Sequence, residues 1–123
     1  MLQGMLIAES LRVDAELKID GFRCRQVVRR DVSATTVSTQ PGLWTFIDFE
    51  APDEMADMLS AALAAALEKE GGWYADFVAG DDHVVVFANR IFRYRRGDQA
   101  GREAAQAHGR SVGVPEHQLD WTD

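Results

Sequence analysis

His83, Asp76 and Tyr94 are the residues with the most chemistry to offer as a set. An imidazole titrates near neutrality, a carboxylate beside it orients the ring and raises its pKa, and a phenol can pass a proton onward. Together they are a workable general acid–base trio, but only if residues 73–95 fold in a particular register. WYADFVA (73–79) and HVVVF (83–87) flank Gly80-Asp81-Asp82, and Ala88-Asn89 then turns the chain into IFRYR (91–95). One face of this meander would show Tyr74, Asp76 and Val78, then His83, Val85 and Phe87, then Arg90, Phe92 and Tyr94. His83 then lies beside Tyr94 and diagonal to Asp76. The alternative is one bent strand from 83 to 95. The plainer reading of His83 is a solvated histidine at a turn, next to two aspartates.

Other candidates are fewer. Arg23, Arg25, Arg29 and Arg30 form one basic cluster, and Arg90, Arg93, Arg95 and Arg96 another. If their strands are neighbours, they make a positive patch for a phosphate, a carboxylate or an acidic partner. If not, they are strand-edge charges that deter aggregation. Arg95-Arg96-Gly97-Asp98 before a helix start is the best single place for a small anionic ligand, with Arg90, Arg95 and Arg96 as its binding residues. Asp81, Asp82 and His83 are adjacent, so their side chains diverge in extended chain. His108 and His117 have no ligand-like spacing, and no metal or cofactor is expected. Cys24 is read as a buried thiol on the dry side of a hairpin.

The elements that must position these groups are written in the periodicity. Leu11, Val13, Ala15, Leu17 and Ile19 alternate with charged residues, Asp20-Gly21 suits a type I′ turn, and a second strand follows, with Leu17 facing Cys24. Residues 31–42, DVSATTVSTQPG, form a polar loop that could serve as a lid. LWTFIDFE (43–50) is a third strand, with Trp44, Phe46, Asp48 and Glu50 on one face. Pro52, early acids and an apolar stripe (Met55, Met58, Leu59, Ala62, Leu63, Ala66, Leu67) predict a helix over 52–70, ended by Gly71-Gly72. A second helix over 99–108 would bury Ala100, Ala104 and Ala107, with Leu119 and Trp121 anchoring the tail. The order β-β-β-α-β-β-β-α predicts an α+β fold, an antiparallel sheet of about six strands packed against two helices, in one domain spanning 1–123.

A net charge of −7 disfavours a nucleic-acid binder. One cysteine permits no internal disulfide, and the opening MLQGMLIAES lacks both a basic leader and a membrane-length apolar run, so a cytoplasmic location is expected, away from the membrane.

VVVFANRIFRYRRGDQAGREAAQAHGRSVGVPEHQLDW (84–121) and MLIAESLRV (5–13) resemble segments of small uncharacterised bacterial proteins. The resemblance implies no activity, cofactor or site residue. Aromatic residues on both faces of the last three strands point to a homo-oligomer or a protein partner. The leading expectation is an acidic binding or regulatory module that self-associates through its sheet. The alternatives are a small enzyme or ligand binder using Asp76, His83, Tyr94 and Arg90, and an immunity or antitoxin-type protein. The last would mask a basic partner with Asp48, Glu50, Asp53, Glu54 and Asp57.

Overall fold

The computed structural model describes residues 1–122. Six strands and two helices follow one another as β1 (Leu2–Ile7), β2 (Arg23–Asp31), β3 (Leu43–Ala51), α1 (Ala56–Ala66), β4 (Ala75–Ala79), β5 (Asp82–Phe87), β6 (Arg90–Arg95) and α2 (Gln99–Ser111). The strands form one antiparallel sheet in the order β2-β3-β1-β4-β5-β6, so the α+β architecture is the one its periodicity predicts. No helix among the described residues is long and apolar enough to cross a membrane.

The first strand is the main correction. The alternating segment 11–19 is not in the sheet; β1 takes that role and lies between β3 and β4. Gly4 is why it fits there: a Cβ at Gly4 would stand 2.3 Å from the Asp76 carbonyl oxygen and 2.7 Å from Phe49 Cζ. Residues 11–22 instead run along the core with Leu11, Leu17, Ile19 and Phe22 partly buried, and the Phe22 ring stacks on Phe49. The Asp20-Gly21 turn does form, with Phe22 N–H donating to the Ile19 carbonyl. Only Gly21 of the pair has positive φ, so it is not type I′. Cys24 is exposed at a bulge, pairing with Phe49 rather than Leu17.

The same segment shortens α1. Leu67 is extended and bridges Leu11, while Arg12 N–H donates to the Ala66 carbonyl and Glu68 N–H to that of Ser10. Arg12 thus satisfies the Ala66 carbonyl from its backbone and the Ala65 carbonyl from its guanidinium, both left open by the helix end, and Glu68 is drawn into pairing with Ser10, so the helix stops well before Gly71. Its buried positions are Ala56, Leu59, Ser60, Leu63 and Ala66, whereas Met58 faces solvent.

The two faces of the sheet are dressed differently. On one, α1 packs over Leu2, Leu6, Phe49, Phe77, Val84 and Val86. On the other, α2 and the C-terminal tail cover Val85, Phe87 and Tyr94 with Ala105, Val114, Leu119 and Trp121. The small residues of α2 that meet the sheet and tail are Gly101, Ala105 and Gly109, beside His108 on Phe87 and Phe92, whereas Ala100, Ala104 and Ala107 are exposed. A Cβ at Gly101 or Gly109 would strike Tyr94 or Leu119, so this four-residue repeat of small side chains lets the helix sit close to β6 and the tail. The aromatic strands β5 and β6 are therefore covered by the chain itself, while β1 and β3 stay open on the second face.

Candidate binding groove

Register places the expected trio together. The Ala88-Asn89 hairpin pairs His83 with Tyr94 and Val85 with Phe92, and β4 pairs Asp76 with Val85. Asn89 carries the positive φ that the turn needs, and its N–H donates to the Ala64 carbonyl on α1. His83 Nε2 lies 2.8 Å from Asp76 Oδ2, and its ring stacks on Tyr94 with centroids 5.7 Å apart. Trp121 Nε1 donates to the Tyr94 hydroxyl at 2.7 Å.

Access separates the three. His83 is fully buried and Tyr94 nearly so, whereas the Asp76 side chain is 27% exposed. His83 is thus neither solvated nor open to a substrate. It sits behind Asp76 and holds one carboxylate oxygen in place, which leaves Asp76 as the member that reaches the surface.

That surface is a groove of about 670 Å³ on the open face. Its floor is a row across three strands, Asp48–Met5–Asp76, with Phe46 and Ile7 farther along and Gln3 and Val78 on the other side. Trp44 and Trp73, in contact at 5.2 Å, close one part; Tyr74 and Trp121, at 5.1 Å, close another. Burial, followed by the charges of Asp76 and Asp120, pushes the Tyr74 phenol far above its ordinary pKa. It stays protonated and donates to the Gln118 carbonyl, tying the tail to β4.

The 31–42 loop, expected as a lid, is fastened at the groove's end. Gln40 Nε2 donates to the Gly71 carbonyl at 2.9 Å, and Gln40 and Gln118 exchange amide hydrogen bonds at 3.0 Å in both directions. His117 and Gln118 also hydrogen-bond the Thr35 carbonyl.

The arginine site is not assembled. Arg90 and Arg95 are the first and last residues of β6, roughly 17 Å apart at the rise of a strand. Arg90 lies over the Phe92 ring, Arg95 and Arg96 are exposed, and none of the three lines the groove. The α2 N-terminus is occupied by the chain's own anion, since an Asp98 carboxylate oxygen accepts the Gly101 N–H. The two basic clusters sit on β2 and β6, the opposite edges of the sheet, and so form no common patch.

Alternation in LWTFIDFE puts Trp44, Phe46 and Asp48 on one face, but no local pattern joins them to Asp76. The missing signal was β1: Met5 links Asp48 to Asp76 only because β1 lies between β3 and β4. No three His, Cys, Asp or Glu among the described residues gather as a metal site. Compared with known proteins, the chain matches no family model, no curated protein and no solved structure.

Proposed function

We propose that this protein is a small binding module and that the groove over β1, β3 and β4 is its working surface. The observation that carries the reading is the combination of an apolar, aromatic-walled recess of about 670 Å³ with one buttressed carboxylate, Asp76, at its floor. Recesses of that size, mostly apolar with a few placed polar groups, are what small ligands use. A fragment screen read by amide and indole NMR shifts tests it. Shifts from saturable binders should concentrate on Met5, Phe46, Asp48, Asp76 and the Trp44 and Trp121 indoles. Saturable binders that map instead to the β2 edge or to α1 would overturn it.

A catalytic reading is favoured by the 2.8 Å Asp76–His83 contact alone. With His83 sealed, Asp76 would have to be the group that touches substrate, and His83 a positioning residue. Self-association through the sheet loses its sequence motive, since α1, α2 and the tail cover the aromatic strands. Sedimentation showing a dimer that Met5→Asp dissolves would restore it. For a basic-partner mask, Asp48 and Glu50 lie on the open face, while Asp57 lies on α1 and is paired with Arg93. Those carboxylates are divided between two sides of the sheet.

A further inference from the structure

Resting on the groove reading, we propose that the occupant is an organic cation: an amine or guanidinium carried on an apolar or aromatic body. Three carboxylates, Asp48, Asp76 and Asp120, line the groove, and among the described residues that line it none is Lys or Arg. An anion entering it would meet three carboxylates and neither Lys nor Arg, and the histidine of the lining, His117, directs Nε2 to the Thr35 carbonyl; that balance selects against an anion.

The layout separates the charge from the carbon. Asp48 and Asp76 flank Met5 as its direct partners on the two neighbouring strands, so their backbones stand roughly 10 Å apart across two strand spacings. Among the described residues no third His, Cys, Asp or Glu gathers with them as a metal site would need. The spacing suits a ligand that rests its carbon on Met5 and Phe46 while placing its charged end at a carboxylate. His83 binds Asp76 Oδ2, so Oδ1 is the oxygen offered to the groove. The imidazole behind it fixes the carboxylate's rotamer, which spares the ligand the ordering cost of a loose side chain. At one end Trp44 and Trp73 add rings to which a cation is attracted, while at the other the Trp121 ring already holds the Arg102 guanidinium 5.7 Å from its centroid.

All three tryptophans of the chain line this groove, so intrinsic fluorescence reports it without a label. Benzylamine, benzyltrimethylammonium, benzyl alcohol and phenylacetate share one ring and differ in charge. Both cations should shift tryptophan emission saturably, with dissociation constants at least about tenfold below that of benzyl alcohol, and phenylacetate should not compete. Added salt should weaken the cations more than the alcohol. Asp76→Asn should abolish most of the preference. Because that change alters the partner of a buried histidine, Asp48→Asn, at a partly exposed site, is the second variant and should reduce the preference with the fold intact by circular dichroism. If benzyl alcohol or phenylacetate binds as tightly as benzylamine, the cation assignment falls while the groove reading stands. If no probe changes the emission and none shifts the groove amides, both fall.

Discussion

Residues 11–30 and residues 82–95 send the same local message and end in different structures. Each reads as strand, turn, strand, the first by the alternation over 11–19 and the second by the apolar run Val84–Phe87, and each turns on two residues of which only the second has positive φ, Gly21 in one and Asn89 in the other. The second becomes a paired hairpin at the centre of the core, with Val84, Val85, Val86 and Phe87 essentially inaccessible. Residues 11–22 of the first become a cover strip outside the sheet: Leu17 and Ile19 are partly buried, Val13 is 86% exposed, and only residues 23–30 enter a ladder, as part of β2. Period two in residues 11–19 reports a chain with one side against something apolar, even though Asp14 turns it at positive φ. It does not say whether that something is a neighbouring strand or the flank of a finished core. The difference is decided by β1, which occupies the place beside β3 and β4 and leaves β3's other edge to β2.

Truncation on the two sides of this comparison should differ several-fold. Phe87→Ala, in the true hairpin, should cost about 3–5 kcal/mol in urea denaturation, since the ring packs against Tyr74, Phe92 and His108. A loss below 1 kcal/mol would show that the hairpin is no more central than the strip. Gly4→Ala tests whether β1 is what keeps the strip out. Its methyl would press on Asp76 backbone and the Phe49 ring, costing about 1–3 kcal/mol, and amide exchange should speed up in β1, β3 and β4 together. Exchange rising only locally would mean that β1 is peripheral. Leu17→Ala, on the strip, should cost about 1–2 kcal/mol, less than a fully buried leucine because its side chain is only partly removed from water.

A smaller effect is expected at the point where the strip leaves the sheet. Glu9 accepts the Thr45 N–H and hydroxyl at 2.6 and 2.9 Å. Burial works against its ionisation. The hydrogen bonds from Thr45 and from Glu9's own backbone, with the charge of Arg29, outweigh burial and hold the carboxyl below its ordinary value of 4.5. A carboxyl depressed in the folded state stabilises the fold above its unfolded pKa, and that contribution is lost as pH falls through the folded value. Stability should thus decline from just above pH 4.5 downward, and Glu9→Gln should flatten that part of the curve while lowering the neutral plateau. An unchanged slope in the variant would remove Glu9 from the account. The smallest effect belongs to Val13→Ser, expected within about 0.5 kcal/mol of the parent despite its place in a perfect alternating pattern.

The candidate site divides along the same line. Asp76, His83 and Tyr94 were legible as a set because strands β4, β5 and β6 are joined by short turns, so a correct turn assignment carries the register with it. Burial of His83 was not legible: the histidine sits beside Asp81 and Asp82 in sequence, and Trp121, arriving from the far end of the chain, packs against it. The arginines failed as a site for a related reason. Arg90, Arg95 and Arg96 look close in sequence, yet a strand spaces them along its length and puts them on an outer edge. On α2 the alanines do not reveal the buried side, because a helix of small residues has no bulky apolar stripe to mark it. The observed contact follows the glycines instead.

By itself the sequence determined the succession of elements from β2 onward, the turn at Ala88-Asn89 and the face that carries Asp76, His83 and Tyr94. These follow from side-chain alternation and from backbone preferences of neighbouring residues, which act over a few positions. Tertiary structure alone decided that β1 sits between β3 and β4, that residues 11–22 lie outside the sheet, and that Asp48, Met5 and Asp76 form one row beneath a groove. Those outcomes depend on which distant segments compete for the same edge, and that competition is settled by packing volume, here by the missing side chain of Gly4, rather than by any local pattern.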